Sequence, residues 1–292
     1  MRDKRFFPLW EKRGYHVTPV HFYEPIPDTR EFRDDVFTWE SELPGVDMNP
    51  EGQIALLERF EALYKEEYDR FPSAPTGRPD EFHFNNTLFE SVDAEVLYCM
   101  VREFKPRRII EIGSGFSTRV AATAIRRNRE LDPAYDCELT CVEPHPRPEI
   151  RDGLGGFCRL IETRAKDLPV DFFTALDQND ILFIDSSHVI TLGNDVWYEY
   201  LEILPRLSRG VVVHVHDILL PRQYVEHWDR MKMFWNEQYL LQAFLAFNTS
   251  FEVIWAGNYM HVRHPDKLAR AFASYKPGRL SGHKSFWMRK VV

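Results

Sequence analysis

An α/β fold built on a largely parallel sheet is predicted by two observations. From residue 107 onward, short apolar runs alternate with helical segments, the pattern of βαβ units. The 292 residues are 44% hydrophobic and 28% charged, so the chain can bury a sizeable core and does not read as disordered. No internal repeat or low-complexity segment competes with that reading.

The elements follow in order. Residues 1–50 carry Pro8, Pro19, Pro25, Pro27, Pro44 and Pro50, which forbid a long helix, among interspersed aromatics. They read as an ordered arm that embraces the main domain or a sister subunit. From 51 to 71, Ile54, Leu57, Phe60, Leu63, Tyr64 and Tyr68 recur at helical spacing. Residues 72–81 are a breaker loop, and Asp93 opens a helix through Phe104 that Pro106 ends. Strands are expected at 107–113, 138–144, 158–163, 180–185, 211–217, 251–257 and 284–292, and helices at 117–130, 196–207 and 235–248. The expected division is an accessory arm and helix at 1–90 and a catalytic domain at 91–292.

Charge and composition exclude some functions. Forty-five acidic against 37 basic side chains leave −8, which argues against a nucleic-acid partner and against a polybasic membrane patch. No apolar run reaches the ~18 residues of a membrane helix, and the first residues lack the apolar stretch of a secretory signal, so a cytoplasmic protein is expected. Cys99, Cys137, Cys141 and Cys158 form no zinc-type pairs and read as reduced thiols.

In such a sheet, ligands bind at the carboxyl ends of the strands. The first end reads Glu111-Ile112-Gly113-Ser114-Gly115-Phe116-Ser117-Thr118. Two glycines allow a sharp turn and close backbone approach, and Ser117 or Thr118 can cap the helix. Thr118 stands where a dinucleotide fingerprint has its third glycine, which disfavours a nicotinamide enzyme. The second end carries Glu143 and Pro144, an acid placed to accept from both hydroxyls of a ribose. The third offers Asp167 in a loop that can line an adenine pocket. The fourth and fifth ends, Asp185-Ser186-Ser187-His188 and His216-Asp217, lie on strands expected to be neighbours ~4.8 Å apart. Asp185 and Asp217 then converge, and a divalent cation relieves their repulsion. His216 and His188 are near enough to join it.

EIGSGFST, VEP, ILFIDSSH and VVVHVHD together resemble a class I S-adenosylmethionine-dependent methyltransferase over roughly residues 90–292. The resemblance implies a Rossmann-like fold with a mostly parallel seven-stranded sheet and an antiparallel last strand. It implies S-adenosylmethionine on Glu111, Gly113, Ser114, Gly115, Ser117, Thr118, Glu143, Pro144, Asp167 and Asp185. IDSSH followed by HD is similar to the metal-dependent sugar O-methyltransferases of the macrocin and mycinamicin type and to cephalosporin-hydroxylase-like relatives. That implies a metal on Asp185 and Asp217, and His188 as the base. Those families carry an acid where this chain has His216; an imidazole there favours manganese, iron, cobalt or zinc over magnesium.

The acceptor pocket is expected from Asn85, Asn86, His145, His188, Tyr224, Trp228, Trp235 and Tyr239, an aromatic-rich set suited to a small molecule. Helix capping is an equal reading of Asn85 and Asn86. A hydroxyl acceptor is the leading expectation; a metal-independent N- or C-methyltransferase, a nicotinamide oxidoreductase and a non-catalytic cofactor-binding protein are the rivals. The arm makes a homo-oligomer the expected assembly.

Overall fold

A computed structural model describes residues 6–78, 80–278 and 283–292. Two compact units divide the chain: Glu40–Arg222 with Trp235–Val292, and Met1–Trp39 with Gln223–Phe234.

The larger unit holds a seven-stranded sheet: β1 Arg108–Ile112, β2 Glu138–Val142, β3 Arg159–Ile161, β4 Ile181–Ile184, β5 Val212–Val215, β6 Phe251–Ala256 and β7 Phe286–Lys290. The order is β3-β2-β1-β4-β5-β7-β6; β1 to β5 are parallel, and β7 runs antiparallel between β5 and β6. The order reverses direction at β1/β4, where a doubly wound sheet opens its ligand crevice. All seven expected strands are present, each trimmed at its ends.

Alternation along the strands splits the core in two. Ile110, Ile112, Val142, Leu182, Ile184, Val213 and Val215 face one layer. Ile109, Leu139, Cys141, Ile181, Phe183 and Trp287 face the other. One row crosses this second face through register partners: Cys141, Glu111, Phe183, His214, Trp287 and Trp255. All four cysteines are buried and free.

Helix α1, Pro50–Tyr68, starts on a proline, with the Asn49 side chain accepting from Gly52 N at 3.2 Å. It buries Leu57, Phe60, Tyr64 and Tyr68 in the main core. Gln53 accepts from Ala256 N at 2.7 Å, and Tyr68 donates to Ala271 O at 3.0 Å. The boundary expected at residue 90 is therefore corrected: residues 40–90 pack into the sheet's own unit, and the division falls after Trp39. Helices α2, Asp93–Phe104, and α3, Phe116–Leu131, agree with expectation. The helix expected at 196–207 is instead α4, Asp195–Tyr198, followed by a π turn over Glu199–Ile203 and a tighter turn at Leu204–Arg206. Pro205 lacks the amide that would continue the regular ladder. Helix α5, Glu237–Leu245, lies inside the expected 235–248. Two helices between 257 and 271 were not expected, α6 Gly257–Arg263 and α7 Pro265–Ala271; Pro265 sets the break between them. Among the described residues, no helix is long and apolar enough to cross a membrane.

The smaller unit has little regular structure. It contains two five-residue helices, Phe7–Glu11 and Glu226–Arg230, and an Asp28 side chain that accepts from Arg30 N. Tyr224 and Trp228 pack as tilted rings 5.5 Å apart within it.

Candidate active site

The rim formed by the carboxyl ends of β1, β2 and β4 holds a cleft of about 570 Å³, a usual size for a small-molecule site. Gly113, Glu143, Pro144 and Asp185 line it, with Arg164, Ala165 and Lys166 and, beyond β4, Ser186, Ser187, Val189, Thr191, Asn194 and Asp195. Gly113 has φ +79°, and a Cβ there would stand 2.0 Å from the Asp185 carbonyl oxygen. Only glycine lets the ends of β1 and β4 approach so closely.

Expected cofactor residues are tied to one another. Glu111 is buried and accepts from Ser117 Oγ at 2.5 Å and from Cys141 Sγ at 3.5 Å. Burial raises its pKa to about 7, against the opposing hydrogen bond from Ser117. Thr118 Oγ1 accepts from Gly115 N at 3.0 Å, so the position of the missing third glycine serves as a cap. Glu143 accepts from Ser114 N at 3.2 Å and from His145 N at 2.7 Å. Each of its oxygens keeps a second lone pair for a ligand hydroxyl. Asp167 departs from expectation. Its carboxylate is held by Arg164 Nε at 2.7 Å on an exposed turn, and its neighbours Arg164, Ala165 and Lys166 line the cleft instead.

The second cluster sits at the ends of β4 and β5. His188 Nε2 lies 3.2 Å from Asp185 Oδ1 and 3.5 Å from Asp217 Oδ2. Its Nδ1 is 2.9 Å from Glu237 Oε2, and Glu237 is fully buried at the start of α5. The indole of Trp235 packs on the imidazole with centroids 4.5 Å apart. Asn236 clamps the loop, donating from its amide to His188 O and accepting from Ile190 N. His188 and Asp217 both adopt left-handed backbone, φ +59° and +55°, a costly conformation for such residues that often marks a functional site. Burial opposes the charge on His188, but its bonds to Asp185 and Glu237 and the field of Asp217 hold its pKa well above the usual value. Lys284, at the entry to β7, rests its ammonium on Asp217 Oδ1.

Asp185, His188 and Asp217 offer three ligand atoms within 4.8 Å of one another. Ligands about 2.1 Å from a common ion stand roughly 3.0–3.4 Å apart, close to the two separations from His188 Nε2. The Nδ1 bond to Glu237 also leaves Nε2 as the nitrogen facing the two carboxylates, as in carboxylate–histidine–metal arrangements. These residues fit a divalent ion. His216, expected as a ligand, is not in this group. Its amide continues the β4–β5 ladder to Ile184 O, and its ring lies against Phe89 and His214, 3.6 Å at Nε2 from Asp217 Oδ1. The left-handed turn at Asp217 puts the next carboxylate in the cluster instead.

Of the expected acceptor residues, Trp235, just before α5, reaches the cluster, and Tyr239, on α5, is exposed. Asn85 and His145 are exposed at the surface. Asn86 is corrected to a structural residue: its amide donates to His83 O and Phe89 O and accepts from Leu88 N and Phe89 N. That uses both of its donors and both lone pairs. Tyr224 and Trp228 belong to the smaller unit. Glu237 and Lys284 were missed. Glu237 stands between Asn236 and Gln238 and Lys284 between His283 and Ser285, polar surroundings in which only burial with an opposite partner distinguishes either charge.

Residues 110–218, which carry the glycine turn and both aspartates, match a family model described as a methyltransferase domain. Over that stretch the chain is similar to this methyltransferase-domain family. An uncharacterized protein of Archaeoglobus fulgidus is 31% identical over 178 residues, 58% of this chain and 77% of that protein; the two belong to one family. A solved structure from Thermobifida fusca YX, described as a candidate methyltransferase, aligns over 86% of this chain and 97% of its own. Its TM-score is 0.43 and its identity 12%, a likeness too slight to assign function. The matched stretch thus contains the rim from β1 to just beyond the end of β5, whereas Glu237 and Lys284 come from later in the chain.

Proposed function

We propose that this chain transfers a methyl group from S-adenosylmethionine to a hydroxyl of a small-molecule acceptor. The observation that carries the reading is His188, anchored through Nδ1 to buried Glu237, so that Nε2 faces Asp185 and Asp217 beside the cleft. Gly113 and Gly115 would hold the amino-acid part of the cofactor, Glu143 its ribose, and the turn at Arg164–Lys166 would line the base. Methyl transfer from a sulfonium is an in-line displacement, so positioning supplies most of the acceleration. A hydroxyl is a poor nucleophile at neutral pH, and it is the neutral ring of His188 whose Nε2 takes its proton; because Asp185, Glu237 and Asp217 favour the charged ring, turnover is expected to rise with pH. Asp185 and Asp217 would hold a divalent ion, and two carboxylates suit magnesium or manganese; it would supply Lewis acidity toward the hydroxyl. The face of Trp235 shields the imidazole from solvent.

A second reading places His188 in the ion's shell as third ligand, favoured by the close grouping of its Nε2 with both carboxylates. Calorimetry with S-adenosylmethionine, then with manganese, on wild type and His188→Ala separates the two. The base reading expects the variant to bind both and to lose turnover; the ligand reading expects manganese binding to fall as well. A folded wild type that binds no S-adenosylmethionine would refute the proposal.

A further inference from the structure

The proposed chemistry gives no part to Lys284, a largely buried cation at the edge of the second cluster. The antiparallel register that pairs Val215 with Phe286 brings Lys284 opposite Asp217, two residues further along each chain segment. Opposite charges that face each other across a strand pair attract. Here the Lys284 ammonium forms an ion pair with Asp217 Oδ1, the two side chains being 15% and 10% exposed. The backbone of Lys284 is fixed separately. Its carbonyl accepts from Ile218 N at 2.9 Å. The fully buried carboxylate of Asp93, at the start of α2, accepts from Lys284 N at 2.9 and 3.0 Å and from Ser285 N at 2.9 Å. The residue is therefore held in place whether or not its ammonium is engaged. Burial opposes the charge on Lys284, but Asp217, with Asp93 and Asp185 behind it, holds its pKa above the usual lysine value.

That charge stands where a divalent ion would act. Asp217 is one of the three residues whose ligand atoms gather within 4.8 Å. Its Oδ2 faces His188 Nε2 at 3.5 Å, and its Oδ1 carries Lys284. An ion drawn to Oδ2 sits across a single carboxylate from an ammonium, and an ion drawn to Oδ1 must displace it. In either position two like charges stand close together where little water screens them. We infer that Lys284 is a resident counter-ion of Asp217 that competes with a divalent ion for the paired carboxylates and holds its affinity down. The inference rests on the ion reading above and deepens it: the carboxylates stay assembled without their ion and take it up weakly.

Calorimetry with manganese, after dialysis against a chelator, tests this on wild type, Lys284→Met and Lys284→Arg. Met keeps an unbranched stem without the charge, and Arg keeps the charge. Lys284→Met should bind manganese about tenfold or more tightly than wild type, and Lys284→Arg should stay near wild type. Equal affinity in wild type and Lys284→Met overturns the inference and leaves the ion reading standing. So does a tightening that Lys284→Arg shares, because the charge is then not its cause. If none of the three proteins binds manganese, the inference falls together with the ion reading, and S-adenosylmethionine binding in the same proteins still decides the cofactor reading. Should Lys284→Met fail to fold, Lys284→Gln, which keeps a donor for Asp217 without the charge, carries the same comparison.

Discussion

The two halves of the rim at the carboxyl ends of the strands are built by opposite means. At the ends of β1 and β2 the polar groups come from two short stretches and satisfy one another: Glu111 with Ser117, Gly115 with Thr118, Glu143 with Ser114 and His145. At the ends of β4 and β5 the charges of Asp185, His188, Asp217, Glu237 and Lys284 come from four separate segments and meet in a buried cluster. The first half is a preformed cradle; the second holds groups whose charges depend on their neighbours. Binding should therefore reside in the first and turnover in the second.

The sharpest break in that contrast is His188→Ala. Loss of a general base costs about 10²–10⁴-fold in turnover, and the cradle should still bind S-adenosylmethionine with unchanged affinity by calorimetry. A variant that loses binding as steeply as turnover would mean that the two halves are not separable.

Next in size is an effect on stability within the cradle. Glu111 has its folded pKa raised to about 7 from an ordinary 4.5. Between those values the folded chain holds a proton that the unfolded chain has released, so stability falls as pH rises and levels off above about 7. The span corresponds to about 3 kcal/mol. Glu111→Gln should flatten this slope, leaving the contribution of the similarly buried Glu95, whose pKa also rises to about 7. Urea melts from pH 4.5 to 8 measure it, and an unchanged slope would contradict an acid kept neutral by burial.

Glu237→Gln acts on the other half. Gln keeps the size and an acceptor for the His188 Nδ1 proton but removes the charge that fixes the ring. Partners of this kind are worth about 10–100-fold in activity or metal affinity. The loss should fall on kcat, with KM for S-adenosylmethionine unchanged, and nitrogen chemical shifts of His188 should show mixed tautomers. A loss confined to KM would place Glu237 outside the proton-handling half.

How much of each half was legible follows from the same contrast. The cradle could be read because its residues are contiguous and each strand end announces itself by an apolar run that stops at glycine or an acid. Asp185, His188 and Asp217 were legible for that reason, since they close β4 and β5. Glu237 and Lys284 were not, because a charge among polar neighbours looks the same whether it faces water or a buried partner. His216 misled because strict alternation sends its ring beneath the sheet, and the left-handed turn at Asp217 cannot be read from residue types. Asn86 was open to two readings, ligand contact and helix cap, and its four bonds instead close its own loop between His83 and Phe89. Asn86→Ala should cost about 1–3 kcal/mol of stability by thermal melting without altering cofactor affinity.

The smallest effect belongs to the arm. Phe22 and Tyr23 are 82% and 77% exposed, and no described residue before Leu43 is buried. Deleting residues 1–39 should therefore move the melting temperature of the sheet's unit little, since exposed side chains contribute within about 0.5 kcal/mol each. Exposed aromatics at this density are instead suited to association. Light scattering should give a homo-oligomer for the full chain and a smaller mass for the shortened one. Equal masses would remove the arm from assembly, and a large drop in melting temperature would show that the arm supports the catalytic unit after all.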